Sequence, residues 1–236
     1  MTHLHIPDGI LPVWLWISGL VLMMLVLAAC IYRLRGMDRR IKVPLLGVLS
    51  AAMLVAMNLE VLPLAYHLNL SVATGILLGP SLGFVAAFIV NLMLALLGHG
   101  GITVMGLNTL LLGTEAMLGH TLFFLLPSRL PVFWRAALAT VLALFVVTCL
   151  LIGIVAFSHL EAETFIHRHD EVGDAAGRTS LAAFAVLVLS LGALGWLIEG
   201  AITGGVLRFI AQVKPDLLAH ALHTPPSGGA APGRPS

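Results

Sequence analysis

The stretch LNLSVATGILLGPSLGFVAAFIVNLMLALL, residues 68–97, runs for 30 residues without an Asp, Glu, Lys or Arg. A membrane-spanning helix needs about 20 apolar residues, so this run is too long for one upright crossing. Gly79-Pro80-Ser81 lies near its middle. Proline lacks a backbone donor and disfavours helix at the residue before it, so a turn is predicted there. A short helix to about 79 and a full one from 82 to 98 then make two passages. The alternative is one tilted, kinked helix.

Further apolar runs fall at about 11–32, 43–64, 102–127, 132–157 and 181–210. The chain therefore makes about seven crossings if the quoted run divides and six if it does not. Basic residues choose between the two. Arg33, Arg35, Arg39, Arg40 and Lys42 fill the first loop, which the positive-inside rule makes cytoplasmic, with the N-terminus outside. Seven crossings place every other Lys and Arg except Arg168 and Arg178 on the same side. Six would put Arg129, Arg135 and the C-terminus outside. The expected fold is an all-α polytopic membrane bundle of about seven helices, N-terminus outside and C-terminus cytoplasmic.

Composition agrees. Hydrophobic residues are 59 % and charged residues 10 % of the chain, against roughly a quarter charged in ordinary soluble domains. A water-facing surface cannot be built from that remainder, and no room is left for a second soluble domain. A net charge of +1 gives no footprint for nucleic acid. Cys30 and Cys149 lie inside apolar runs and read as packing residues. The start, Met1-Thr2-His3-Leu4-His5-Ile6-Pro7-Asp8-Gly9, has no basic residue before Arg33 and does not read as a signal peptide. The expected organisation is an exterior N-terminal peptide at 1–10, a membrane bundle at 11–213, and a Pro/Gly-rich cytoplasmic tail at 214–236, expected to be disordered.

Histidine supplies the candidate chemistry. His3 and His5 lie close to an exterior amino terminus. An amine, intervening deprotonated amides and an imidazole form a planar nitrogen chelate that suits Ni(II) and Cu(II), and Co(II) less strictly. Calcium and magnesium require oxygen ligands. His67, expected at the outer mouth of a helix, is placed to complete the plane. Against this stands the ordinary fate of an exposed histidine, which is to be solvated.

His5-Ile6-Pro7-Asp8-Gly9-Ile10-Leu11-Pro12 resembles the N-terminal signature of the CbiM/NikM family, the substrate-binding membrane subunits of energy-coupling-factor transporters for cobalt and nickel. Three more stretches agree: His67 with Gly75-Ile76-Leu77-Leu78-Gly79-Pro80; Leu97-Gly98-His99-Gly100-Gly101-Ile102-Thr103 with Gly106-Leu107-Asn108; and Glu199-Gly200-Ala201-Ile202-Thr203-Gly204. The resemblance covers about residues 4–215. It implies that the N-terminal peptide folds into the bundle. The metal is then bound by the terminal amine, by the backbone nitrogen and side chain of the next histidine, and by a second histidine after the second helix. Carried over, the imidazoles are those of His5 and His67. Asp8 holds the peptide in place, and His99 and Asn108 line or orient the site. The resemblance also implies an importer without a permanent cofactor, carrying Co2+ or Ni2+, in the cytoplasmic membrane of a prokaryote. Its partners are a coupling transmembrane subunit, cytoplasmic ATP-binding subunits and membrane lipid, with room for a small auxiliary membrane subunit.

One departure concerns the ligands. Family members begin Met-His, whereas here Leu4 precedes His5 and Met1-Thr2-His3 stands in front. Three arrangements follow. Leu4 is the true start and gives the terminal amine; or Met1 is removed and Thr2-His3 forms the chelate; or Met1-Thr2-His3 chelates as it stands. The last two bring His3 into the ligand set and displace His5.

Other polar residues read more plainly. Glu115 and His120 do not share a clean helical face and are expected to hydrogen-bond between helices; the role of Glu199 is not readable. Loop 158–180 gathers His159, His167, His169 and five acids and is expected to be solvated. No G-x-x-x-x-G-K-[ST] pattern occurs, so the chain is not expected to hydrolyse ATP or to be an enzyme. Two other readings remain: a channel or secondary carrier independent of ATPases, and a membrane metalloenzyme with zinc on His99, His120 and Glu115. Nitrogen ligands must be unprotonated to bind metal, so uptake is expected to weaken in acid.

Overall fold

A computed structural model of the chain describes residues 12–35, 39–58, 60–62, 66–98, 101–166 and 181–222. The elements are α1 (Val13–Arg33), α2 (Arg39–Asn58), β1 (Glu60–Leu62), β2 (Tyr66–His67), α3 (Ser71–Leu78), α4 (Pro80–Leu96), α5 (Met105–Leu125), α6 (Val132–Ile166), α7 (Leu181–Val213) and α8 (Pro215–Leu222). The fold is an all-α bundle with one small ribbon. Three helical stretches, Val13–Arg33, Val132–Ser158 and Val188–Val213, are long and apolar enough to cross a bilayer, and Lys42–Asn58 and Pro80–Leu96 are shorter apolar helices.

Its polarity is reversed relative to a soluble protein. Asn69, Ser71, Thr74, Asn108, Thr109, Glu115 and Glu199 are buried, while Val21, Leu25, Leu96, Leu125, Leu197 and Phe209 stand exposed. Water would penalise such an apolar exterior, whereas lipid accepts it and forces polar groups inward.

Contacts order the helix ends. Leu15 of α1, Leu107 of α5 and Leu151 of α6 meet at one end, where Trp14 also stacks edge-on against Phe157 at 5.7 Å. At the other end Leu77 of α3, Phe123 of α5, Ala136 of α6, Leu207 of α7 and Leu218 of α8 share a second cluster. Leu34, Leu45 and Leu46 pack with Leu78 and Leu82 nearby. Arg33, Arg40, Lys42, Arg135 and Arg208 lie on the elements that meet at this second end, and Arg35, Arg129 and Lys214 lie in the short connections beside them.

The quoted run divides where glycine and proline predicted. Gly79 has φ 87°, and Pro80 opens α4 at its first turn, where proline is tolerated. The division is a reversal: a Cβ on Gly83 would stand 3.0 Å from the Cα of Gly75, although a continuous helix would separate them by about 12 Å. α3 has only eight residues, about 12 Å of helix, too short to cross a bilayer of about 30 Å unaided. All eight are buried. It is a half-helix enclosed by its neighbours.

Three boundaries differ from the sequence reading. The run 43–64 is not one helix: α2 occupies Arg39–Asn58, and β1 and β2 follow. Pro63 falls between the two strands, and hydropathy cannot distinguish a short apolar strand from a helix end. The loop expected at 158–180 begins late, because α6 continues to Ile166; His-Leu-Glu-Ala-Glu is polar yet helix-forming, so hydropathy marked the apolar limit and not the helix end. The tail expected to be disordered from 214 instead forms α8, led by Pro215 at its start and Asp216 in its first turn. Leu218 buries against the second-end cluster. Residues 223–236 lie outside the described residues.

Arg135 joins two helices at that end. Its Nη2 donates to the Phe123 carbonyl at 2.7 Å, one of the last four of α5, which have no partner within the helix. Its guanidinium also lies 4.4 Å from the Phe123 ring centroid. Arg135→Leu is expected to cost about 1.5–3 kcal/mol, the range for a hydrogen bond to a charged group. The check is a lower melting temperature in detergent; an unchanged one would show that the contact contributes nothing.

Candidate metal centre

His67 stands on β2, not at a helix mouth. Its strand pairs antiparallel with β1, Glu60 opposite His67 and Leu62 opposite Tyr66, with an irregularity between Glu60 and Leu62. The imidazole is half-buried, and Nδ1 is shut off from solvent without a hydrogen-bond partner among the described residues. A buried polar atom in that state costs about 1–3 kcal/mol. A neutral imidazole nitrogen can recover this by accepting a proton donor or by ligating a metal.

Below His67 the chain enters α3 through an Asx turn. The Ser71 backbone N–H donates to Asn69 Oδ1 at 2.8 Å, the short-range bond by which asparagine shapes turns. With its carbonyl oxygen so occupied, Asn69 turns its amide outward, and Nδ2 donates to Glu115 Oε2 of α5. Ser71 Oγ donates to the same Oε2 at 2.8 Å. All three residues are buried, so one carboxylate oxygen of α5 grips both ends of the turn that follows His67.

Lower down, His120 Nδ1 hydrogen-bonds with the Gly75 carbonyl at 3.1 Å, and its ring stacks at 4.5 Å on Phe124. Glu115 and His120 thus bond from α5 to the α3 segment, as expected of them. Both side chains serve that segment. Asn108 is buried in the first turn of α5, two turns before Glu115 on the same helical face. Glu199 is buried on α7, where Gly200 and Gly204 bring the helix against the Ala137 and Phe133 carbonyls of α6.

His3, Leu4, His5, Asp8 and His99 lie outside the described residues. Among the described residues no group of three or more His, Cys, Asp or Glu is arranged to hold a metal. His67 therefore offers one nitrogen, and a complete centre around it requires donors from elsewhere in the chain. Sequence reasoning missed Asn69 and Ser71. The available signal was an Asn-x-Ser pattern directly before a helical run, the composition of a helix entry.

Comparison with known proteins gives a consistent picture. Residues 5–217 match the family profile described as CbiM, cobalt uptake substrate-specific transmembrane region. A relative from Archaeoglobus fulgidus, described as a putative fused nickel transport protein NikMN, is 30 % identical over 222 residues, covering 91 % of this chain and 68 % of its own length. Two crystal structures share the fold at 19 % identity. A transition metal transporter superposes with a TM-score of 0.75, covering 95 % of this chain and 100 % of that one. A truncated transition metal transporter gives 0.73, covering 89 % and 99 %.

Proposed function

The chain belongs to the CbiM family of cobalt-uptake substrate-specific transmembrane regions, a family of cobalt and nickel membrane transporters, and from that premise we propose that it is the metal-capturing subunit of an energy-coupling-factor importer for Co2+ or Ni2+. The observation that carries the site is the solvent-shielded Nδ1 of His67, which has no hydrogen-bond partner among the described residues. The remaining donors come from the N-terminal peptide: the terminal amine, on Leu4 if that residue is the start, and the backbone nitrogen and imidazole of His5. Asp8 secures the peptide, and His99 and Asn108 line the site. Where the extension is kept, His3 replaces His5.

This nitrogen set excludes the hard cations that dominate outside a cell and suits late first-row ions. The bundle end crowded with arginine and lysine faces the cytoplasm. The ion arrives from the opposite side, and a coupling membrane subunit with its ATP-binding partners drives the rearrangement that passes it inward.

The testing experiment is intact mass of the purified full-length protein, with metal content measured on the same sample. A chain starting at residue 4 with about one Ni2+ or Co2+ per molecule supports the His5–His67 site. A chain that keeps Thr2-His3 and holds metal moves the ligand to His3, which His3→Ala then abolishes. A chain that keeps the extension and binds no metal refutes the N-terminal site.

A further inference from the structure

We propose that Glu115 is the positioning residue of the metal centre: by gripping Asn69 and Ser71 it fixes, relative to α5, the segment that presents His67. The inference rests on His67 being a ligand, as proposed above.

His67 is two residues from Asn69, a reach of about 7 Å at most. On its other side it is tied by the pairing of Glu60 with His67 in the ribbon. The ribbon alone is a weak frame, because an isolated two-stranded pair is marginal. Two buried hydrogen bonds, from Asn69 Nδ2 and Ser71 Oγ to Glu115 Oε2, tie this segment to α5. The bonds are buried, where a hydrogen bond is stronger and a broken one costs more. α5 itself is a firm base. It receives Gly75 against the Ala116 carbonyl and bonds to the same residue through His120.

Planar nitrogen coordination tolerates little displacement of a ligand, and groups that orient ligating histidines are worth 10–100-fold in metal affinity. Helix packing alone would account for a polar bond anywhere between α3 and α5. It does not account for one acceptor oxygen serving both residues of the turn that leaves His67. A carbonyl oxygen can serve the same two donors, so the role needs a hydrogen-bonding partner for both residues at this point and not a charge.

The test titrates Ni2+ and Co2+ separately into full-length protein in detergent and records the ligand-field absorption of the bound ion. Glu115→Leu is expected to weaken binding about 10–100-fold and to shift the absorption, because the His67 nitrogen is displaced. Glu115→Gln, which keeps an acceptor oxygen, is expected to stay within about twofold of the parent. Asn69→Asp sets two carboxylates together and is expected to weaken binding as Glu115→Leu does. Combining it with Glu115→Gln restores the pairing in reverse, with Gln Nε2–H2 donating to the Asp carboxylate and to the Ser71 hydroxyl oxygen, and with it the affinity and the spectrum. This rescue decides the matter even if Glu115→Leu fails to fold.

In a His67→Ala background these clamp substitutions are expected to have no further effect on whatever binding remains. Parent-like binding and spectrum in Glu115→Leu, with binding lost in His67→Ala, would overturn the positioning role and leave the ligand assignment standing. So would failure of the swapped pair to recover. Parent-like binding in His67→Ala would instead overturn the ligand assignment, and the positioning role with it.

Discussion

His67→Ala is expected to leave the protein folded and remove its hold on metal. Loss of an outer partner to a ligating histidine already costs about 10–100-fold in affinity; loss of the nitrogen itself costs more. The fold has little to lose. Backbone pairing places the strand, alanine keeps that backbone, and the substitution deletes a buried Nδ1 that has no partner among the described residues. The metal-free variant should therefore melt at or slightly above the parent temperature.

The contrast appears when metal is added. A ligand that binds only the folded state stabilises it by about 2.7 kcal/mol at one hundred times its Kd, so the parent melting temperature should climb with Ni2+ or Co2+. The variant's should not. If the variant climbed as the parent does, His67 would not be a ligand. If it melted far below the parent without metal, the histidine would be a packing residue.

Several features of this architecture are written locally. The apolar runs are, because hydropathy reports what lipid accepts, and so is the break at Gly79-Pro80, because proline and a positive φ act on their own residues. The reversal that follows is not. It depends on Gly75 and Gly83 meeting across the hairpin, and either glycine read alone could sit in a straight helix. Strand β1 lies within an apolar run, and a short apolar strand and a helix end look alike to hydropathy.

The clamp was half visible. Asn69 and Ser71 show the pattern of a helix entry, but their acceptor lies more than forty positions along the chain, and no local rule pairs them. Glu115 was readable as a carboxylate costly to bury and therefore partnered. Which partner it had only the fold could say. α8 shows the opposite limit. The Pro/Gly content of the last residues masks the helix start in the same tail, where Pro215 and Asp216 stand in the first turn of α8.

Gly75→Ala is expected to be the most destabilising single-methyl change in the half-helix. The added Cβ would stand 2.1 Å from the Ala116 carbonyl oxygen, 2.6 Å from its carbon and 2.8 Å from its Cα. These are backbone atoms in the middle of α5, held by their own helix, so no side chain can rotate away. Retreat in the other direction is blocked, because Gly83 of α4 already approaches the Gly75 Cα. α3 must then move as a body, loosening the His120–Gly75 bond and the Glu115 clamp together. Overpacking a core typically costs 1–3 kcal/mol, and a contact that cannot relax belongs at about 3 kcal/mol or beyond.

Two other glycines give the scale. At Gly79 a Cβ meets nothing within 4 Å but φ is +87°, so Gly79→Ala should cost only backbone strain, about 1–3 kcal/mol. At Gly205 of α7 a Cβ also meets nothing within 4 Å and the residue is helical, so Gly205→Ala should be neutral or stabilising by up to about 1 kcal/mol. Melting temperatures in one detergent should fall in the order Gly205→Ala, Gly79→Ala, Gly75→Ala. A Gly75→Ala protein as stable as the parent would mean that α3 does not rest on α5. In that case the base on which His67 is held would be absent too.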